Sequence, residues 1–416
     1  MKMVVGDAAL RNRLLFVFAA LAVFRLLASI PIPAAAGGSV EGFLSQNSAL
    51  GLFNVLTGGG LSAVSIMMLG VGPYITGSII MQLLTMMSPK LKEMYHEEGD
   101  AGRRRFAQYS RLLTVPLAFV QGYGLLIFLK SQGLLGALTS SEIIFNTVLI
   151  AAGSILLMWI GELISEFGVG NGVSLIIFAG IVSSFPSFVA QNIIKFDVAQ
   201  IPMYLGFLIA AVVIIAAVVV VTEAERPIPV TYAKRVRGMK VYGGGSTYLP
   251  LRLNQAGVIP IIFALSILVF PQMLAKVFTA SSNATVSGVA QAVSNFISNQ
   301  WVNGILYFGL VFIFTFFYTA VTFEPDSVAT NLQKNGAFIP GIRPGAPTAE
   351  YLAKVLTRIT TVGAIFLGLV AVLPFVMQSV TGTASLAIGG TALLIVVSVV
   401  TDLIKKIDAQ ISMREY

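Results

Sequence analysis

Read as hydrophobic and polar positions, the chain is a succession of apolar runs about as long as a bilayer is thick, separated by polar connections. Runs near the roughly 20 residues that a helix needs to cross a hydrocarbon core fall at 14–32, 66–87, 112–129, 143–164, 173–192, 202–221, 257–275, 301–321, 355–377 and 385–401. Ten such helices predict an all-α polytopic membrane protein with both termini on one side. The pattern breaks conspicuously in "GLFNVLTGGGLSAVSIMMLGVGPYITG", Gly51 to Gly77. The apolar piece 50–56 is too short to span, three glycines follow it, and the next run is itself punctuated by Gly70, Gly72 and Pro73. Non-spanning backbone at membrane depth is tolerated only where protein or a water-filled cavity surrounds it. The break therefore predicts a cavity.

Composition sharpens this picture. Of 416 residues, 56% are hydrophobic and 11% charged, against about 25% charged in a soluble domain. With no cysteine, disulfides, thiolate metal sites and a cysteine nucleophile are excluded. Met1 to Arg13 is a basic flank that runs into an apolar stretch without a small-residue cleavage site, and reads as a retained first span. With both termini in the cytosol, all but four of the 26 lysines and arginines fall in cytosolic segments, the exceptions being Arg25, Lys130, Lys195 and Lys276. The distribution of positive charge sets that orientation.

Two cytosolic connections are long and polar, 223–256 and 323–354. The first, with "ERPIPVTYAKRVRGMKVYGGGSTYLPLRLNQAG", has short β-branched runs around a glycine turn and predicts a hairpin-like arm. In the second, "GAFIPGIRPGAPTAEY", three prolines and three glycines enforce a non-helical path up to a helix start near Thr348.

The span interiors are nearly free of charge: Arg25 and Glu162 lie towards span ends and Asp402 at the cytosolic end of the last. Transporters and pumps usually carry charges inside the bundle despite a cost of roughly 2.5 kcal/mol or more each. Uncharged polar residues concentrate on the second, third and seventh spans: Gln82 and Thr85, Gln121, and Asn254 with Gln255. Ordinary interhelical hydrogen bonding accounts for each singly. Catalytic sets are missing. His96, the one histidine, sits in the charge run "YHEEGDAGRRR", and "GGGST" at Gly243 to Thr247 lacks the lysine of a phosphate loop. A secondary transporter of a small solute fits ten spans, but not the charge-free interior or the long basic arms.

Seven stretches together resemble one family, that of SecY, the channel subunit of the bacterial Sec translocase: "GVGPYITGSIIMQLL" from Gly70, "GVGNGVSLIIFAGIV" from Gly168, "ERPIPVTYAKR" from Glu225, "LNQAGVIPIIFA" from Leu253, "GAFIPGIRPG" from Gly336, "PTAEYLAKVLTRIT" from Pro347 and "GGTALLIVVSVVTD" from Gly389. The resemblance covers nearly the whole chain. It implies ten transmembrane helices in two pseudo-symmetric inverted halves of five, 1–195 and 196–416. It also implies a location in the bacterial cytoplasmic membrane, no cofactor and no enzymatic activity.

The resemblance further implies a mid-membrane pore ring, aligned here with Val71, Ile75, Ile177, Ile181, Ile262 and Ile395. Val71 and Ile75, like Ile177 and Ile181, are four apart and share a helix face, although such aliphatic pairs occur in every membrane helix. A short plug helix, about 49–60, would comprise Leu50, Leu52, Phe53, Val55 and Leu56, with Gly58, Gly59 and Gly60 as its flexible connection. Gln82, Thr85, Gln121 and Asn254 would line a lateral gate and hold it shut through mutual hydrogen bonds until a signal sequence intercalates. The implied partners are the small membrane subunits SecE and SecG, the motor ATPase SecA, the ribosome, signal peptides and nascent polypeptides, and membrane lipid at the gate. Arg343 matches the family's sensitive loop arginine, while Arg235, Arg237, Lys240 and Arg252 are basic enough to meet acidic protein or ribosomal RNA. After "ISMREY", Ile411 to Tyr416, family members usually continue into a basic tail, whose contacts are not carried over here.

Overall fold

The computed structural model describes all residues except 1–7, 35–39, 41–50, 52–53, 55–56, 97, 137, 195–200, 233–234, 238–239, 243–244, 280–283, 382–388 and 416. Long apolar sequences with few interior breakers propagate as helices, and helices cover the apolar runs with shifted ends. In chain order they are α1 (Ala8–Ala28), α2 (Gly72–Met87), α3 (Pro89–His96), α4 (Gly99–Ser131), α5 (Ser140–Phe167), α6 (Gly172–Ile194), α7 (Ile201–Glu223), α8 (Ile259–Thr279), α9 (Ala284–Ser298), α10 (Gln300–Thr322), α11 (Pro325–Lys334), α12 (Ala346–Thr381) and α13 (Gly389–Glu415). Among the described residues, four helical stretches are long and apolar enough to cross a membrane: Gly99–Ser131, Ser140–Phe167, Trp301–Lys334, which takes in α10 and α11, and Ala346–Met377.

The shifted ends have local causes. The run 66–87 becomes a helix only from Gly72, because Pro73 occupies the first turn, where its missing N–H costs nothing. Within the charge run His96 ends α3, and Gly99 with φ +63° starts α4, which carries Arg103 to Arg105. With 33 residues, α4 is about 50 Å long, so its arginine-rich first turns extend beyond a bilayer core. α9 was not anticipated, although Val286, Val289, Val293 and Phe296 recur at helical spacing.

An all-α description also misses a small sheet. β1 (Glu225–Tyr232), β2 (Arg235–Arg237), β3 (Lys240–Tyr242) and β4 (Ser246–Arg252) form the expected hairpin, and β5 (Ala337–Phe338) comes from the other long connection. The order is β4-β1-β5, with Ile228 opposite Leu249 and Thr231 opposite Phe338. Tyr232 N–H donates to Gly245 O on the β4 side, so in a strand of period two the nitrogens of Pro227 and Pro229 face the other edge. Having no hydrogen, they end pairing with β5 there. On the inner face Ile228, Val230 and Leu251 pack with Ala337, Ile339, Leu352, Val355 and Ile359 in one core. The two arms are thus one unit, seated on the first turns of α12.

Within the helical body α2 packs on α4, α4 on α5, α10 on α12 and α7 on α13. Contacts between earlier and later helices run through α8 against α2 and α4, and through α6 against α13. One continuous apolar core reaches from Val17 in α1 to Val399 in α13.

Candidate functional site

Residues 57–71 are the non-helical backbone that the glycines predicted. Gly58 and Gly59 have φ +74° and +78°, conformations that glycine adopts without steric cost. The segment is buried and tied down: Met67, Met68 and Leu69 are inaccessible, Ile32 N donates to Val64 O at 2.9 Å and Ile66 N to Ile30 O at 3.1 Å. From α5, the Ser154 hydroxyl donates to Gly70 O at 2.8 Å. Val64, at φ 45°, is held in that costly region by the two-sided pairing with 30–32. Of the plug residues, Leu50, Leu52, Phe53, Val55 and Leu56 lie outside the described residues, whereas Gly58, Gly59 and Gly60 form the turns just described.

Val71 sits at the N-cap of α2 and Ile75 one turn on, with the Ile75 amide bonded to Val71 O at 3.0 Å. Ile177 and Ile181 lie on α6, Ile262 on α8 and Ile395 on α13. All six are buried and belong to the single main core.

Gln82 and Thr85 lie on α2, Gln121 on α4 and Asn254 in the turn that leads into α8, yet the expected mutual hydrogen bonds are not there. The Thr85 hydroxyl donates to the Gln82 backbone carbonyl at 2.6 Å, the short-range bond that threonine makes within its own helix. Gln121 Nε2 reaches Thr76 Oγ1 at 3.3 Å. Asn254 Nδ2 donates to Gly257 O at 3.2 Å, closing the turn before α8. Gln82 Oε1 and Asn254 Oδ1 are buried with no hydrogen-bond partner. None of the four bonds another's side chain. Phe263 of α8 meets Phe314 and Tyr318 of α10 edge-on at 6.1 and 6.2 Å, which couples those two helices.

Among the basic arm residues, Arg343 is exposed in a turn flanked by Gly341 and Gly345 at φ +84° and +98°, and the Thr348 hydroxyl fixes the turn by donating to Arg343 O at 2.8 Å. Arg252 Nε pairs with Glu225 at 3.3 Å across the first register position of the hairpin. Arg235, Arg237 and Lys240 are on β2 and β3. Sequence reasoning missed the partners of the charges it singled out: Glu162 pairs with Arg111 between α5 and α4, and Arg25 donates to a backbone carbonyl. Their depth in apolar runs was the available signal, since such charges rarely stay unpaired.

Residues 65–404 match the SecY family model. The protein translocase subunit SecY of Streptomyces coelicolor is 41% identical over 423 residues, covering 98% of this chain and 96% of its own. Among solved structures, one described as a protein conducting channel superposes with a TM-score of 0.64 at 19% identity, covering 95% of this chain and 91% of the other. Sec61 in the canine ribosome-channel complex of the endoplasmic reticulum gives 0.60 at 18%, with the same coverage. The match along most of the chain and the near full-length identity carry one conclusion: this chain belongs to the SecY family of protein translocase channel subunits.

Proposed function

We propose that the chain is the protein-conducting channel of a Sec translocase in a bacterial cytoplasmic membrane, with ten spans in two inverted halves, 1–195 and 196–416, and both termini in the cytosol. The observation that supports this most directly is that Val71, Ile75, Ile177, Ile181, Ile262 and Ile395 are buried in the same apolar core as Met67, Met68 and Leu69 of the non-helical backbone at 57–71. Such backbone needs an enclosing protein or cavity, and an aliphatic constriction seals a cavity against water and ions by dewetting. It closes round an unfolded polypeptide of any sequence without holding it.

In this reading the plug near 49–60 lies under the ring on the outer side and leaves when a chain arrives. Signal peptides and hydrophobic segments pass into lipid where α8 parts from α2 and α4. α8 and α10 move together because their aromatic rings interlock. The joined cytosolic arms present Arg343, Arg235, Arg237, Lys240 and Arg252 to SecA or the ribosome, and SecE and SecG bind the helical body. Since the chain has no cysteine, a single cysteine at Ile75 or Ile181 gives a clean test. A stalled secretory chain should crosslink to either one; no crosslink at both, in a complex shown to be engaged, removes the pore assignment.

A further inference from the structure

Of the ion pairs between described residues, one joins 1–195 to 196–416: Lys92 Nζ lies 3.0 Å from Glu324 Oε1. The others each stay within one of those parts. Both partners sit just past the end of a long helix. Ser88 is the C-cap of α2 and leads into α3, which carries Lys92. Phe323 is the C-cap of α10, and Glu324 follows it as the N-cap of α11. The pair therefore bridges the ends of α2 and α10, two helices from opposite sides of the gate where α8 parts from α2 and α4.

Each partner has its own support. α3 packs on α2 and α4, and its Tyr95 ring lies 4.9 Å from the Phe106 ring of α4. α11 packs on α12, and Phe323, Val328 and Leu332 pack against the apolar core of the sheet unit. The acid is ordered by its own helix: the Ser327 hydroxyl donates to Glu324 Oε2 at 3.0 Å, and a carboxylate at a helix N-terminus is favoured by the dipole. The Glu324 side chain is 27% exposed and that of Lys92 57%, so a half-buried acceptor meets a long lever from the other side. Exposed pairs contribute little when both side chains must be ordered to meet; here one is ordered already. We propose that Lys92 and Glu324 form a latch across one end of the gate: the bond holds α3, with α2 and α4, to the end of α10 and to the arm unit, and must break before α8 and α10 part from α2 and α4. The inference rests on the gate reading given above.

The test uses the complete complex in lipid. Transport of one preprotein, with its intact signal sequence and with a weakened one, is compared for the unaltered chain, Lys92→Glu, Glu324→Lys and the double exchange. Losing a partly ordered pair should favour the open seam about threefold. Each single variant should therefore raise the ratio of weak-signal to strong-signal transport about threefold, and this gain should shrink at high salt. The double exchange restores opposite charges and should return the ratio to that of the unaltered chain. An unaltered ratio in the single variants, or a double exchange that does not restore it, refutes the latch. So does an equal change in strong-signal and weak-signal transport, which would place the pair in partner docking. The gate is tested apart from the latch. Since the chain has no cysteine, one placed at Gln82 or Asn254 should form a disulfide with a single cysteine on an engaged signal peptide. A disulfide there with silent charge variants refutes the latch and leaves the gate; no disulfide at either site, in a complex shown to be engaged, removes both. Should a charge reversal fail to accumulate, Lys92→Gln and Glu324→Gln, which delete the charge without reversing it, are read by the same ratio.

Discussion

The sheet unit and the contact of α8 with α2 and α4 both join segments distant in the chain, and their hydrogen-bond accounts differ. In the sheet unit the strands pair in register from Glu225–Arg252 to Thr231–Ser246, and the inner face is aliphatic, with Leu352 fully buried. On α2 and in the turn that leads into α8, Gln82 Oε1 and Asn254 Oδ1 are buried without partners, and the bond from Gln121 of α4 to Thr76 of α2 is long at 3.3 Å. A buried orphan oxygen costs about 1–3 kcal/mol, and a cost held in the closed state lowers the work of opening. In the function proposed above the α8 contact is the one that parts, and unmet polar groups beside it would find partners when a new neighbour arrives.

The largest effect is expected where the fixed interface is broken. Leu352→Ala removes a fully buried side chain from the core shared by both arms, which should cost about 2–5 kcal/mol. Limited proteolysis within 233–245 should then accelerate, and binding of motor or ribosome should weaken, while the helical body resists cleavage as before. Unchanged protection of the hairpin would mean that the arms are held independently of α12.

A smaller effect of the opposite sign is expected at the other seam. Asn254→Leu deletes one orphan oxygen and one weak turn bond at 3.2 Å, for a net change of about 1–2 kcal/mol in favour of the closed seam. Transport of preproteins with weak signal sequences should fall roughly tenfold, and strong signals should be less affected. Wild-type handling of weak signals by this variant would sink the role of stored polar cost. Gln121→Leu, which loses only the long bond to Thr76, should shift the same assay in the same direction by less.

How much of this was legible in the sequence depends on which force acts. Apolar length marked where helices lie, and glycine with proline marked the irregular path 57–71, because both are local properties of the chain. The resemblance supplied the six aliphatic ring residues; composition could not, since Ile177 and Ile262 are no more apolar than their neighbours. The joining of the arms was hidden because Ala337 and Phe338 form a strand of only two residues, which no periodicity can reveal. The expected zipper of Gln82, Thr85, Gln121 and Asn254 failed for a related reason. Sequence tells that polar groups need partners, but not that Thr85 finds one in its own helix and Asn254 in its own turn.

The weakest prediction concerns a site outside both seams and serves as their control. Thr139 caps α5: its hydroxyl accepts from Glu142 N, and Glu142 Oε2 accepts from Thr139 N at 2.8 Å, a reciprocal capping box. Hydrogen bonds from the Thr139 backbone, then from its hydroxyl, hold the Glu142 carboxyl below its usual range. A lowered folded pKa favours the folded helix end at neutral pH, and that contribution fades as pH falls through the carboxylate range. Hydrogen-exchange protection of Glu142 and Ile143, whose amides bond to Thr139, should therefore drop on acidification, and Thr139→Ala should show low protection with little pH dependence. Because neither Gln82 nor Asn254 titrates, protection across the α8 seam should not follow the same curve. Parallel loss at both places would mean that acid loosens the whole body, and the distinction between a fixed and a parting interface would have to be rebuilt on charge rather than on unmet hydrogen bonds.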